Sequence, residues 1–223
     1  MKDLTNIKYW IFDLDNTLYS GQTKVFSEVD KKMSTFISEK FNVDLAKAKE
    51  IQKKYFYEYG TTLSGLMNHD NINPQEFLEF VHDIDISWLP KDEVLREELI
   101  KIKEKKIIFT NGSHAHVKNV TKQLGIDDLF DGAFDITDAN FVPKPHLDPY
   151  AKLIKKFNIN PSQSILIEDI AHNLEQAKNL GMKTCWLKND EAFAKKDADK
   201  PYIDYKINSL PSFLQKINIL KNN

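Results

Sequence analysis

Two acids, Asp13 and Asp15, stand one residue apart where the apolar run 9–14 (YWIFDL) ends, and Asn16 and Thr17 follow at once. Burying carboxylates at such a position costs several kcal/mol unless something compensates them. Three more places carry unusual polar residues at or beyond the end of an apolar run. Thr110 and Asn111 close the run 106–110, Glu168 and Asp169 close the run 164–169, and Lys144 sits in VPKPH beyond the run 132–137. Carboxylates in such a set can attack an electrophile, exchange protons or bind a hard divalent cation. A lysine and a threonine hydroxyl beside them suit an anionic ligand.

The elements that must position these groups follow from periodicity. The runs 9–14, 106–110, 132–137, 164–169 and 183–188 are continuously apolar, as strands buried on both faces are. Helical stretches lie between the later ones, at 113–124, 149–157 and 171–180, the first and last closed by Gly125 and Gly181 as C-caps. This alternation predicts an α/β fold with a doubly wound, mostly parallel, Rossmann-like sheet, in which ligands bind beyond the carboxyl ends of strands. Residues 18–88 break the rhythm with three helical runs, 25–41, 44–60 and 73–84. The first places Val25, Val29, Met33, Phe36 and Ile37 on one face, and Pro74 opens the third. They predict a helical cap over a core made of 1–17 and 89–223. The tail 201–223 reads as a short strand and a closing helix.

Taken together, Asp13-Leu14-Asp15-Asn16-Thr17, Thr110, Lys144 and Glu168-Asp169 resemble, in order and in place, the four motifs of the haloacid dehalogenase superfamily of phosphatases. The likeness spans roughly residues 8–188. It implies a Mg²⁺-dependent phosphomonoesterase with a core of that family's type, in which Asp13 is the nucleophile and forms an aspartyl-phosphate. Asp15 would be the general acid and base. Mg²⁺ would be held by Asp13, Asp169 and the backbone carbonyl of Asp15, with Glu168 acting directly or through water. Lys144 would neutralise nucleophile and phosphate, Thr110 would donate its hydroxyl, and the backbone N–H groups of Leu14, Asn111 and Gly112 would cradle phosphate oxygens. The second acid, Asp15, favours phosphoryl transfer over carbon–halogen cleavage. Asn173 stands where many relatives carry an acid, and is expected only to support the site.

Plainer duties compete for several of these residues. Thr110 before Asn-Gly could cap a strand end, Lys144 between prolines could be solvated, and Glu168-Asp169 could cap the helix near Ala171. His114 and His116 form an H-x-H pair without a further ligand at metal spacing, so polar positions at a helix start are expected, with His116 bordering the pocket. Cys185 belongs to the core.

Within the cap, aromatics crowd at Tyr55, Phe56, Tyr57 and Tyr59, and GTTLSGL (60–66) reads as a polar, tightly turned segment. With DLDNTLY and FTNGS this stretch resembles the pyrimidine 5′-nucleotidase branch. That implies a nucleoside 5′-monophosphate such as UMP or CMP as small-molecule partner, read by Tyr59, Thr61, Thr62 or Ser64. The alternatives are a sugar-phosphate or phosphoglycolate phosphatase, a phosphomutase, and a non-catalytic module that senses a phosphometabolite.

Composition limits the rest. A net charge of −2, with Arg96 the single arginine among 31 basic residues, speaks against nucleic-acid readout. One cysteine excludes an internal disulfide. The start, MKDLTNIKYW, has no apolar h-region, and no run approaches the roughly 20 apolar residues of a membrane span; a cytoplasmic protein is expected.

Overall fold

The computed structural model describes residues 1–222. The apolar runs become β1 (Tyr9–Phe12), β2 (Lys105–Phe109), β3 (Gly132–Phe134), β4 (Ser164–Glu168), β5 (Lys183–Leu187) and, in the tail, β6 (Tyr205–Ile207). All pair in parallel, in the order β3-β2-β1-β4-β5-β6. Strands β1 to β5 each stop before their apolar run does, so Asp13, Thr110 and Asp169 lie just past a strand's end. The chain moves outward from β1 through β2 to β3, then crosses back to β4 on the other side of β1. That reversal opens a crevice at the carboxyl end of β1, where such sheets bind ligands.

Between β1 and β2 lie α1 (Val25–Phe41), α2 (Leu45–Tyr59), α3 (Thr62–Asp70), α4 (Pro74–His82) and α5 (Glu93–Lys101). The later connections form α6 (His114–Leu124), α7 (Leu147–Phe157), α8 (Leu174–Asn179) and α9 (Ala192–Lys195), and α10 (Leu210–Asn222) closes the chain. Side chains alternate between the two sheet faces. Trp10, Phe12, Ile108 and Ile167 pack with Leu95 and Leu99 of α5, Val120 of α6 and Leu214 of α10. Ile11, Phe109 and Leu166 pack with Tyr150 of α7 and Leu174 of α8. Helix α5 adds to the elements read from sequence; its stripe is thin because Val94 and Ile100 are exposed.

Helices α1 to α4 share a third cluster built on Val29, Phe36, Ile37, Tyr55, Leu66, Phe77 and Val81, to which Ile136 from beyond β3 adds its side chain. Leu18, Tyr19 and Val25 pack instead with the sheet. The cap region holds four helices where sequence predicts three. GTTLSGL is not an irregular turn: Gly60 ends α2 with φ +81°, and Thr61 caps α3 by accepting a hydrogen bond from the Ser64 N–H. Gly65 allows α3 to lie against α2, since a Cβ there would stand 2.3 Å from Cβ and Cγ of Tyr55. Among the described residues, no helix is long and apolar enough to cross a membrane.

Candidate active site

The ladder between β1 and β4 continues one residue past β1, where the Asp13 N–H donates to Ile167 O at 2.9 Å. The chain then turns: Thr17 and Leu18 both donate to Leu14 O, and Asn16 takes φ 60°, a left-handed conformation that asparagine tolerates. Two groups of residues gather around this turn, one at Asp13 and one at Asp15.

The first group is ionic. Lys144 is buried and its ammonium donates to Asp13 Oδ1 at 2.7 Å, Glu168 Oε2 at 2.6 Å and Phe109 O at 2.9 Å, which uses all three of its protons. Its backbone is fixed by Asn111, whose Oδ1 accepts the Lys144 N–H at 2.8 Å. Glu168 Oε1 accepts from Asn173 Nδ2 at 3.2 Å and from the Ile170 N–H at 3.3 Å. Asp169 lies beside them, with Oδ2 receiving Asn189 Nδ2 at 2.6 Å and its carbonyl receiving the Trp186 indole at 2.7 Å. Burial works against the Lys144 ammonium, but the Asp13 and Glu168 charges outweigh it and hold its pKa above the ordinary value.

This group suits a divalent cation. Asp13, Glu168 and Asp169 are all buried, and each offers a carboxylate oxygen within 4.8 Å of the others'. Three acids thus face one ammonium. Burial, and next the Glu168 charge, push the carboxyls of Asp13 and Asp169 above the usual carboxylate range. Hard oxygen donors in excess of positive charge are the donor set Mg²⁺ takes.

The second group surrounds Asp15. Its Oδ1 accepts the Tyr19 hydroxyl at 2.5 Å and His116 Nε2 at 2.7 Å. Burial raises the Asp15 pKa, yet the His116 charge and hydrogen bond, with the Tyr19 hydroxyl, overcome that and hold it down at about 2. His116 is buried in the first turn of α6, which Ser113 caps. From the cap helices, His82 stacks on His116 at 4.4 Å between centroids and 18° between planes, and its Nδ1 meets Ser113 Oγ at 2.8 Å. Burial, and next His116, lower the His82 pKa to about 3.

The loop Thr110–Ser113 joins the two groups. The Gly112 N–H donates to Thr110 Oγ1 at 2.9 Å. A Cβ on Gly112 would lie 3.3 Å from Thr110 Oγ1, 3.3 Å from His116 Cδ2 and 3.7 Å from Asp15 Oδ2. The absent side chain therefore leaves room at one point for a threonine hydroxyl, a carboxylate oxygen and an imidazole edge. The loop runs into the N-terminus of α6, a favourable place for an anion.

The structure thus gathers Asp13, Lys144, Glu168 and Asp169 in one cluster and brings Asp15 to Thr110 and Gly112. Lys144 is not solvated, and Asn173 supports Glu168. His114 and His116 both stand in the first turn of α6; His114 is exposed, whereas His116 is buried and borders the site against Asp15. The cap candidates serve the cap itself. Thr61 donates to Ser64 Oγ at 2.9 Å, Thr62 donates to Gln52 O at 3.3 Å, Ser64 is buried, and the Tyr59 ring packs edge-on to Tyr55 at 5.8 Å. Sequence reasoning passed over Tyr19, Asn189 and His82. Asn189 lies two residues past β5, so the strand-end rule could have found it, whereas Tyr19 lies in the turn well past the end of β1, outside that rule. Nothing local marks His82.

A family model described as haloacid dehalogenase-like hydrolase matches residues 7–181. Phosphate metabolism protein 8 of Saccharomyces cerevisiae is 32% identical over 194 residues, covering 78% of this chain and 60% of that protein, so this chain spans less than two thirds of that relative's length. Glyceraldehyde 3-phosphate phosphatase of Pyrococcus furiosus is 29% identical over 230 residues, 95% of this chain and 93% of that one. Among solved structures, the HAD-hydrolase YfnB from Bacillus subtilis bound to magnesium superposes with a TM-score of 0.57 at 17% identity, over 97% of this chain and 99% of that one. At that identity the likeness is one of fold.

Proposed function

This chain belongs to the family of haloacid dehalogenase-like hydrolases, and we propose that it is a Mg²⁺-dependent phosphatase of small phosphomonoesters working through an aspartyl-phosphate on Asp13. The observation that carries this reading is the buried Lys144 ammonium joining Asp13 to Glu168 beside Asp169, with Asp15 held separately by His116 and Tyr19. One carboxylate is thereby kept for attack and another for proton transfer.

Asp13, Asp169 and the backbone carbonyl of Asp15 would hold Mg²⁺, with Glu168 supporting them, and the bound ion would supply positive charge to the phosphoryl oxygens. Asp13 attacks phosphorus as the ester P–O bond breaks, and Asp15, ionised in the free enzyme, takes up the proton of the monoanionic phosphate ester and delivers it to the departing alkoxide. Asp15 then takes a proton from the water that cleaves the acyl phosphate and passes it to the released phosphate, which returns both carboxylates to their starting state. Thr110 Oγ1 and the N–H groups of Leu14, Asn111 and Gly112 hold phosphate oxygens, and Lys144 offsets their charge. Helices α1 to α4 act as a cap that excludes water.

For the substrate, the motif likeness supports a pyrimidine nucleoside 5′-monophosphate. A second reading, a sugar phosphate, is favoured by the nearly full-length match to a phosphatase named for glyceraldehyde 3-phosphate, and by the engagement of Thr61, Thr62 and Ser64 within the cap. Phosphate release with Mg²⁺ across UMP, CMP, glyceraldehyde 3-phosphate, sugar phosphates and phosphoglycolate tests both readings. Asp13→Asn should lose at least about 10³-fold in kcat on every substrate. Equal rates in wild type and variant would end the phosphatase reading.

A further inference from the structure

We propose that His116 is a positioning residue for Asp15, held in place by the cap residue His82, and that the pair turns Asp15 so that Oδ2 alone serves the leaving group. The proposal rests on the reading of Asp15 as general acid, and adds how that acid is aimed.

Three observations carry it. Tyr19 and His116 both donate to the same oxygen, Oδ1, so the carboxylate cannot rotate about Cβ–Cγ without breaking two hydrogen bonds. The other oxygen, Oδ2, is the one nearest the space that the missing side chain of Gly112 leaves beside Thr110. His116 in turn is held from two sides. Ser113 Oγ accepts its N–H at 3.3 Å, and the imidazole of His82 lies flat on its ring while meeting the same Ser113 hydroxyl. His82 ends α4, in the cap, whereas Ser113 and His116 belong to the sheet side. Seating of the cap and aim of the acid therefore share one stack of two rings.

A carboxyl that must deliver a proton along one line loses rate when its orientation is released; misplacement by about 1 Å can cost about 10²-fold. Such a loss depends on the leaving group. An alkoxide needs the proton, whereas p-nitrophenolate departs without one. The test compares kcat/KM, which reports on steps through leaving-group departure, for p-nitrophenyl phosphate and for an alkyl phosphate (UMP or glyceraldehyde 3-phosphate, whichever the wild type turns over faster). Asp15→Asn is the reference.

His116→Ala should lose about 10- to 100-fold on the alkyl ester and less than about 3-fold on the aryl ester. His116→Gln, which can place an N–H near the position of Nε2, should recover most of the loss. His82→Ala should show the same selectivity at smaller size, because it releases the ring without removing the donor. Equal losses on both esters, or no recovery with Gln, would overturn the proposal. If His116→Ala does not fold by circular dichroism, the shorter His116→Asn takes its place under the same criteria. Where Asp15→Asn discriminates between the esters and the His116 variants do not, the aiming role fails alone. Where Asp15→Asn itself does not discriminate, the general-acid reading fails, and the proposal with it.

Discussion

The surroundings of Asp13 and those of Asp15 are built on opposite electrostatic terms, although the two residues are separated only by Leu14. Around Asp13, three buried carboxylates meet one ammonium, and burial drives carboxyl pKa values up. Around Asp15, an imidazole and a phenol supply donors to a single carboxylate, and its pKa falls to about 2 despite burial. The first group is short of positive charge, which a divalent cation would supply. The second is compensated by its own side chains. One turn of backbone can thus hold the proposed nucleophile and the proposed proton carrier in separate surroundings because their partners come from different places: β4 and the loop before α7 for the first, α6 and the turn after β1 for the second.

The comparison breaks most sharply if its one ammonium is removed. Lys144→Met should abolish measurable turnover and destabilise the metal-free protein by about 3–5 kcal/mol at neutral pH in urea denaturation, since it strips the partner from buried charges. Added Mg²⁺ should restore part of that stability. A destabilisation below about 1 kcal/mol would mean that the Asp13 group is not short of positive charge.

A change of pH sharpens the contrast next. The folded-state pKa values of Asp13 and Asp169 lie above the ordinary carboxylate value, chiefly through burial. The stability tied to their neutral forms is complete below about 3.9 and is lost as pH rises from there toward neutrality. Asp15 is shifted the other way, and its contribution is lost only as pH falls below the ordinary value and through about 2. Thermal denaturation of metal-free protein should therefore show Tm declining between weakly acidic and neutral pH, with saturating Mg²⁺ flattening the decline. A decline of equal slope with and without Mg²⁺ would place its cause outside the Asp13 group.

The smallest effect lies in the cap. Gly65→Ala forces a methyl group into the Tyr55 side chain and should cost about 1–3 kcal/mol, seen as a lower Tm. At temperatures where the variant stays folded, kcat should remain within about 3-fold of wild type. A fall in kcat without a fall in Tm would move α3 from the cap's interior to its chemistry.

What could be read from sequence divides along the same line. The acids of the Asp13 group were readable because each sits at the end of a strand or just past one, and apolar runs reveal strand ends: Asp13 after β1, Glu168 and Asp169 at the end of β4. Lys144, well past β3, was marked only by its flanking prolines. Asn189 after β5 falls under the same rule. The partners of Asp15 were not readable in this way. His116 is three residues into a helix that sequence places correctly, but its burial depends on His82, 34 positions earlier and on another packing unit. Helix α3 escaped for a related reason. Glycine, threonine and serine favour turns locally, and the fit of Gly65 against Tyr55, which makes the segment helical, is a tertiary contact.

The central claim is that Asp13 takes the phosphoryl group, and rapid-quench labelling tests it most directly. Enzyme mixed with ³²P-labelled substrate and Mg²⁺ should carry transient, hydroxylamine-sensitive label on the peptide containing Asp13, and the Asp13→Asn protein should carry none. Label on another residue, or turnover at wild-type rate by the variant, would contradict it.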